Sequence, residues 1–350
     1  MNRTVLTFFL FLCSLSTMFL MGLSFKIQPV QASGTIYIRA DGSIHPGTAA
    51  ISSIDNSTYI FTNNIEDSII VEKDSIVIDG NGYMLKGNGT GVGVYIANKK
   101  HVKVENLEIT AFHTAIFLLD SFDSVLQNIT ASKNEIGIYL SNASYNYISQ
   151  NQVTNSTYNG ILMISTQRNT LFRNNIRDDT DGIGMGGGSF ENVLFENNIE
   201  NNNHGLTIGP YSFNSLIYHN NFINNTGQIY WIPPVLVENA LDNGYPSGGN
   251  YWSDYTGVDS DNDGIGDTPY GEYYQDRYPL TTPHIFPEEL RVLHNQLLAE
   301  YQNLTSLHNS LQNEIVNIRN MMYVFIVTTM ILVATTVYFA IGKPKSKLPT

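Results

Sequence analysis

The chain of 350 residues carries 31 acidic against 18 basic side chains, a formal net charge of −13. That acidic excess excludes a nucleic-acid partner unless cations bridge the two. One cysteine, Cys13, excludes a disulfide framework.

Residues 1–32 read as a secretory signal peptide: Arg3, an apolar run from Val5 to Phe25, then the small-residue site Val30-Gln31-Ala32 with cleavage before Ser33. An uncleaved anchor helix is the alternative. Cys13 follows Leu12 rather than the small residue a lipid attachment site wants, so the mature chain has no thiol chemistry. Seven N-x-S/T sequons outside this segment, at Asn56, Asn88, Asn128, Asn142, Asn155, Asn224 and Asn303, fit a secreted glycoprotein.

Residues 33–235 are repetitive. GVYIANKKHVKVENL begins at Gly93, and related phrases begin at Ala115, Gly137, Gly160, Gly182 and Gly205, 22 or 23 residues apart. Val94, Ile116, Ile138, Ile161, Ile183 and Leu206 occupy one column, and Ile96, Leu118, Leu140, Met163, Met185 and Ile208 occupy a second, two positions on. Alternation of period two is a strand signal. A unit this short cannot bury its own apolar face, so copies must stack, and the expected fold is an all-β solenoid, a parallel β-helix with coils of 22–23 residues. The asparagines Asn106, Asn128, Asn151, Asn174, Asn197 and Asn220 recur at 22 or 23 residues. They are expected to form a structural ladder at a tight bend, amide bonded to amide along the axis.

These repeats, with YIRADGSI at 37–44 and IVIDGNGY at 76–83, resemble right-handed parallel β-helix proteins of the NosD type, also described as carbohydrate-binding and sugar-hydrolysis domains. The stretch NGYPSGGNYWSDYTGVDSDNDGIGDTPY at 243–270 is similar to the C-terminal signature of the cell-surface, largely archaeal members. The resemblance covers about 35–282 and implies a fold more than an activity, because the family hosts several functions.

Cleavage of a glycosidic bond needs two carboxylates flanking it. RDDTDGIG at 177–184 offers Asp178, Asp179 and Asp181, and His204 follows one coil later. These are the catalytic candidates of an enzyme reading. The elements around them match a polygalacturonase only in part, and Arg173 and Arg177 show no partner in the sequence. Copper handling, which the family name suggests, wants clustered His, Met or Cys. His101, His113, His204 and His219 fall out of register, while Met163 and Met185 stack in an inward column.

Residues 236–285 read as a cap. Within it, Asp259, Asp261, Asp263 and Asp267 around the Gly264 bend have the spacing of a Ca2+ loop, with the Ile265 carbonyl as a backbone ligand; Tyr270 stands where an EF-hand has its bidentate Glu. The expected cofactor is structural Ca2+. Trp252 and Tyr255, among many cap aromatics, are candidates to stack on sugar; a buried mini-core is the competing reading.

Residues 286–320 carry Leu290, Leu297, Leu304, Leu311 and Ile318 at intervals of seven. They read as a coiled-coil stalk through which copies could oligomerise; a single amphipathic helix is the alternative. Residues 321–342 are apolar enough to span a bilayer. The basic tail 343–350, with Lys343, Lys345 and Lys347, is expected to stay in the cytoplasm and leave the rest outside. The whole reads as a membrane-anchored surface protein that recognises a glycan or envelope polymer or builds the surface layer. A polysaccharide hydrolase or lyase is the alternative, and a copper or accessory protein of a membrane complex the second.

Overall fold

The computed structural model describes residues 34–233, 239–271, 274–284 and 288–341. The signal segment 1–32 and the tail 343–350 lie outside the described residues. The chain divides into two units, Met1–His284 and Ile285–Thr350.

Each coil of the repeat supplies one strand to a ten-stranded sheet, and the later coils supply two, one on either side of a corner, to a second sheet of 15. The strand Ile136–Ser141 shows why. Its Ile138 and Leu140 point inward and are fully buried, while Tyr139 points out. It pairs in parallel with Thr114–Leu119 on one side and Asn159–Ile164 on the other, in the registers Ile116↔Ile138↔Ile161 and Leu118↔Leu140↔Met163. Both apolar columns therefore fall in step, and the chain forms the β-solenoid its repeat demands. The repeat-opening glycines have a steric cause. A Cβ at Gly93, Gly137, Gly160, Gly182 or Gly205 would lie 2.5–2.8 Å from a carbonyl oxygen of the next coil, which only that oxygen's displacement would relieve.

Open sheet ends invite pairing with other chains. The N-terminal end is closed by two antiparallel strands, Ile44–His45 on Ile36–Ile38 and Ile51–Ser52 on Thr58–Phe61. At the other end the 15-stranded sheet takes Tyr251–Trp252 as its last strand, in parallel with Asn221–Ile223, while the ten-stranded sheet ends at Gly227–Trp231. The solenoid thus takes its last rung from within 236–285, so the expected boundary at 235 cuts through it.

The asparagine ladder is real but runs differently from the expected series. Asn151, Asn174, Asn197, Asn220 and Asn250 are buried. Each Nδ2 donates to the Oδ1 of the next asparagine at 2.8–2.9 Å, and each backbone N–H donates to the same oxygen at 3.0–3.1 Å. Asn106 and Asn128 do not belong to it: Asn106 is half-buried and Asn128 exposed. The register Leu126↔Ile148 sets Gln150, not Asn151, one coil beyond Asn128. Asn128, Gln150, Arg173, Glu196 and His219 all have φ between 53° and 57°, and so form the left-handed corner. The inward place after that corner belongs to Ile129 in the earlier coil, whose N–H donates to Asn151 Oδ1 at 2.9 Å. Asn250 was missed because it stands 30 residues beyond Asn220. A second buried ladder joins Asn146, Asn169 and Asn192.

In the second unit a single helix runs unbroken from Glu288 to Ile341, 54 residues, or about 81 Å at 1.5 Å per residue. The expected stalk and membrane segment are one element. Its stretch Ser310–Thr336, 27 residues with mean hydropathy 1.6, is long and apolar enough to cross a membrane.

Candidate functional site

Residues that point out of the ten-stranded sheet line up across coils as strictly as those pointing in. One outer column reads Tyr95, Phe117, Tyr139, Leu162, Gly184, Thr207 and Tyr230; beside it, Ile136, Asn159, Asp181 and His204 are in register. Phe117 and Tyr139 stack at 4.5 Å with planes 2° apart, and Tyr95 follows at 5.6 Å. Rings stacked on each other turn their edges to solvent, so this part of the column braces coils and offers no flat platform. Tyr230 differs. Its ring stacks on His204 at 4.7 Å and remains 48% exposed.

Asp181 and His204 are 23 residues apart and directly paired in register. Asp181 Oδ1 lies 2.7 Å from His204 Nδ1. Both side chains are partly open, 18% and 29%. The ring thus turns Nδ1 to the carboxylate and leaves Nε2 outside that contact. Next to this pair, Gly184 has no side chain, and the Asn159 amide leans over it, 2.7 Å from where a Cβ would stand. Tyr230 is one of the aromatic residues near the cap that the sequence offers, but Asn159, Gly184 and Thr207 carry no such signal. The signal that finds them is the strand register: Asn159 pairs with Asp181, and Gly184, Thr207 and Tyr230 follow one another along the neighbouring outer column.

The remaining acidic candidates go elsewhere. Asp178 sits at the corner with φ 60° and pairs with Arg177 at 3.3 Å. Asp179 is 5% exposed and occupies a third inward column between Ser156 and Asn202. Its Oδ1 accepts the Ser156 N–H at 2.6 Å, and its own N–H donates to Asn202 Oδ1 at 2.9 Å. Its Oδ2 is buried with no hydrogen-bond partner. Burial pushes this carboxyl up to about 7, against the lowering pull of the Ser156 N–H. So Asp179 is a structural residue in an asparagine's place, and Asp178, Asp179 and Asp181 face three ways instead of flanking one bond. Nor are the arginines unpaired: Arg173 meets Glu196 at 2.7 Å.

In the cap, oxygens of Asp259, Asp261 and Asp263 lie within 4.8 Å of one another. The loop's own N–H groups hold them: Gly264 donates to Asp259 Oδ2 at 3.0 Å and Ile265 to Asp263 Oδ1 at 2.9 Å. Asp267 instead accepts the Ser260 N–H at 3.0 Å. Such hard oxygen donors suit Ca2+. Trp252 is no ligand platform. It is fully buried between Phe222 at 4.3 Å and Tyr270 at 4.5 Å, and its Nε1 donates to Asp276 Oδ2 at 2.9 Å. Tyr255 packs edge-on against Tyr270 and donates its hydroxyl to the Thr268 carbonyl at 2.7 Å. Burial also pushes the Asp276 carboxyl up, to about 6. Trp252, Tyr255, Tyr270 and Tyr274 pack as a mini-core, while Tyr245 stays 63% exposed.

Of the residues weighed for copper, His219 stacks its ring on His284 at 4.3 Å. Met163 and Met185 are buried in the core, and His219 directs Nε2 at the Ser247 carbonyl, 2.7 Å away. The one cluster of three or more His, Cys, Asp or Glu side chains close enough to share an ion, among the described residues, is the Asp259 group.

Residues 42–257 match the family model described as "Periplasmic copper-binding protein (NosD)". No curated protein sequence matches the chain. Similar solved structures include the enzymatically active domain of bacteriophage CBA120 tailspike protein 2, at 12% identity over 55% of this chain and 41% of that one, TM-score 0.42. The A-module of Azotobacter vinelandii mannuronan C-5 epimerase AlgE6 is 14% identical over 51% of this chain and 64% of its own, TM-score 0.39. The periplasmic alginate epimerase AlgG is 16% identical over 60% and 70%, TM-score 0.41. The chain therefore spans less than two thirds of the first two. At these identities the likeness is one of fold.

Proposed function

The chain belongs to the NosD family of β-helix proteins, and from that premise we propose that it is a membrane-anchored surface protein whose outer solenoid face recognises a glycan polymer without cleaving it. The observation that carries this reading is the Asp181–His204–Tyr230 group. It sets an exposed ring beside polar side chains on a rigid sheet, the usual composition of a sugar site. The three aspartates face different ways, Asp178 at the corner, Asp179 inside and Asp181 on the outer face, which supports recognition over hydrolysis. The helix Glu288–Ile341 supplies the anchor, and its basic tail supports an outward-facing solenoid. Full-length protein in detergent is expected to be retained on immobilised polysaccharide without shortening it, and Tyr230→Ala is expected to weaken retention about tenfold. Shortened polymer would overturn the non-catalytic reading, and no retention on any polymer would overturn recognition.

The Asp259–Asp267 loop is part of the same proposal, as a Ca2+ site that orders the cap. An extracellular affinity on the order of 10⁻⁴–10⁻³ M is adequate for that role. Ten millimolar Ca2+ would then add about 1.5–3 kcal/mol of stability. The expected result is a thermal shift on adding Ca2+ that Asp261→Ala abolishes; an equal shift in both proteins would sink the site.

A further inference from the structure

The first unit ends at His284, and the helix begins at Glu288. That last residue of the unit is fastened to the coils. Its N–H donates to Asn221 Oδ1 at 2.7 Å, and its carbonyl accepts from Asn221 Nδ2 at 3.1 Å. Its ring lies on the His219 ring, centroids 4.3 Å apart and planes 14° from parallel. His219 is fixed in turn: Nε2 donates to the Ser247 carbonyl at 2.7 Å, and the ring meets Tyr218 edge-on at 4.8 Å. Imidazole is the side chain whose ordinary titration falls between about pH 5 and 8.

The charged and titratable groups set against this pair come from the same corner. Arg173 and Glu196 close on each other at 2.7 Å, each side chain 11% exposed, and their charges offset. Burial pushes the Tyr218 hydroxyl up, so it stays a neutral phenol. Asn221 and Ser247 carry no charge. One proton on the pair is therefore tolerable. Two would put like charges face to face at 4.3 Å, with no further anion among those groups to offset them. Burial and the neighbouring His219 ring accordingly hold His284 below the usual imidazole value of 6.5. A base whose folded value is lowered keeps its contribution above the unfolded value and loses it as pH falls through 6.5 towards the folded one. Acid therefore favours the separated rings.

We propose that the His219–His284 stack is an acid-released latch on the chain end: it holds residues 282–284 to the last coils at neutral pH and frees them when both rings are protonated. The coils themselves stay folded, because Leu280 N–H still donates to the Asn250 carbonyl and Thr281 N–H to the Gly264 carbonyl. Release hands residues 282–284 to the segment that leads to the helix, which adds about 10 Å of reach at roughly 3.3 Å per residue. An acidic setting thus lengthens the tether of the solenoid. The latch stands or falls independently of what the solenoid recognises.

Amide hydrogen exchange, read by mass spectrometry on full-length protein in detergent and corrected for the intrinsic effect of pH, tests this. Protection of amides 284–286 in the wild type is expected to fall about tenfold between about pH 7.5 and pH 5, while the Ile138 and Leu140 rung keeps its protection. His284→Phe keeps a ring on His219 but takes no proton, and should hold its protection at both values. His219→Phe, which gives up the bond to Ser247, should show no pH response even where its protection is lower throughout. Equal protection of the wild type at the two values overturns the latch. So does an equal fall in His284→Phe, which would place the acid-sensitive group elsewhere.

Discussion

Asp179→Asn is expected to stabilise the protein by about 4 kcal/mol above pH 7 and to change little near pH 4. Asp179 holds an asparagine's place: Asn202, next in the same column, directs its Nδ2 at the Ile176 carbonyl and Asn225 Oδ1. At Asp179 the corresponding oxygen, Oδ2, is buried and unbonded. Burial out of water penalises its charged form and raises this carboxyl from 3.8 to about 7, and a proton on Oδ2 would supply the donor the position lacks. A carboxyl whose folded value is raised contributes stability that is fully present below its unfolded value and lost as pH rises through the folded one. From about pH 4 to 7 the folded state holds a proton that the unfolded state has released, so stability falls by about 1.4 kcal/mol per pH unit. Over that window the loss reaches about 4 kcal/mol. The amide cannot ionise and escapes it. Thermal unfolding of both proteins between pH 4 and 9 checks this. A constant difference across that range, or a less stable variant at pH 8, would refute the ladder role of Asp179.

Asn174→Ala should lose about 3–5 kcal/mol, while Asn128→Ala should lose about 1 kcal/mol or less. Asn174 is 1% exposed; its Nδ2 donates to the Ile148 carbonyl and Asn197 Oδ1, and its Oδ1 accepts from the N–H and Nδ2 of Asn151. Truncation strands a backbone donor and a carbonyl in the interior, each costing about 1–3 kcal/mol. Asn128 is exposed and makes one side-chain contact, 3.5 Å to Asn106. What alanine forfeits there is mainly tolerance of φ 53°. Urea unfolding separates the two, and equal losses would contradict the register shift between Asn128 and Asn151.

That pair of asparagines also marks how far the sequence could be read. The spacing of 23 from Asn128 to Asn151 looks like one more repeat, yet it hides a step from corner to ladder. Identity and interval do not say which of two adjacent positions turns inward; that depends on how the neighbouring strand pairs. The same limit applied to the aspartates. Asp178 and Asp179 are adjacent, but one closes on Arg177 at the surface and the other is sealed inside.

The apolar columns and the coil length were legible from periodicity, because burial of a repeated face admits one stacking solution, and the C-terminal span from its uninterrupted apolar run. Pairing register alone decided the rest. It brought Asp181 against His204, placed Asn159 and Thr207 over Gly184, extended the ladder to Asn250 across an insertion, and sealed Trp252 in a stack. Periodicity specifies which residues share a column. Which side of a bend each column faces is set by hydrogen bonds between coils, and these exist only once the coils have stacked.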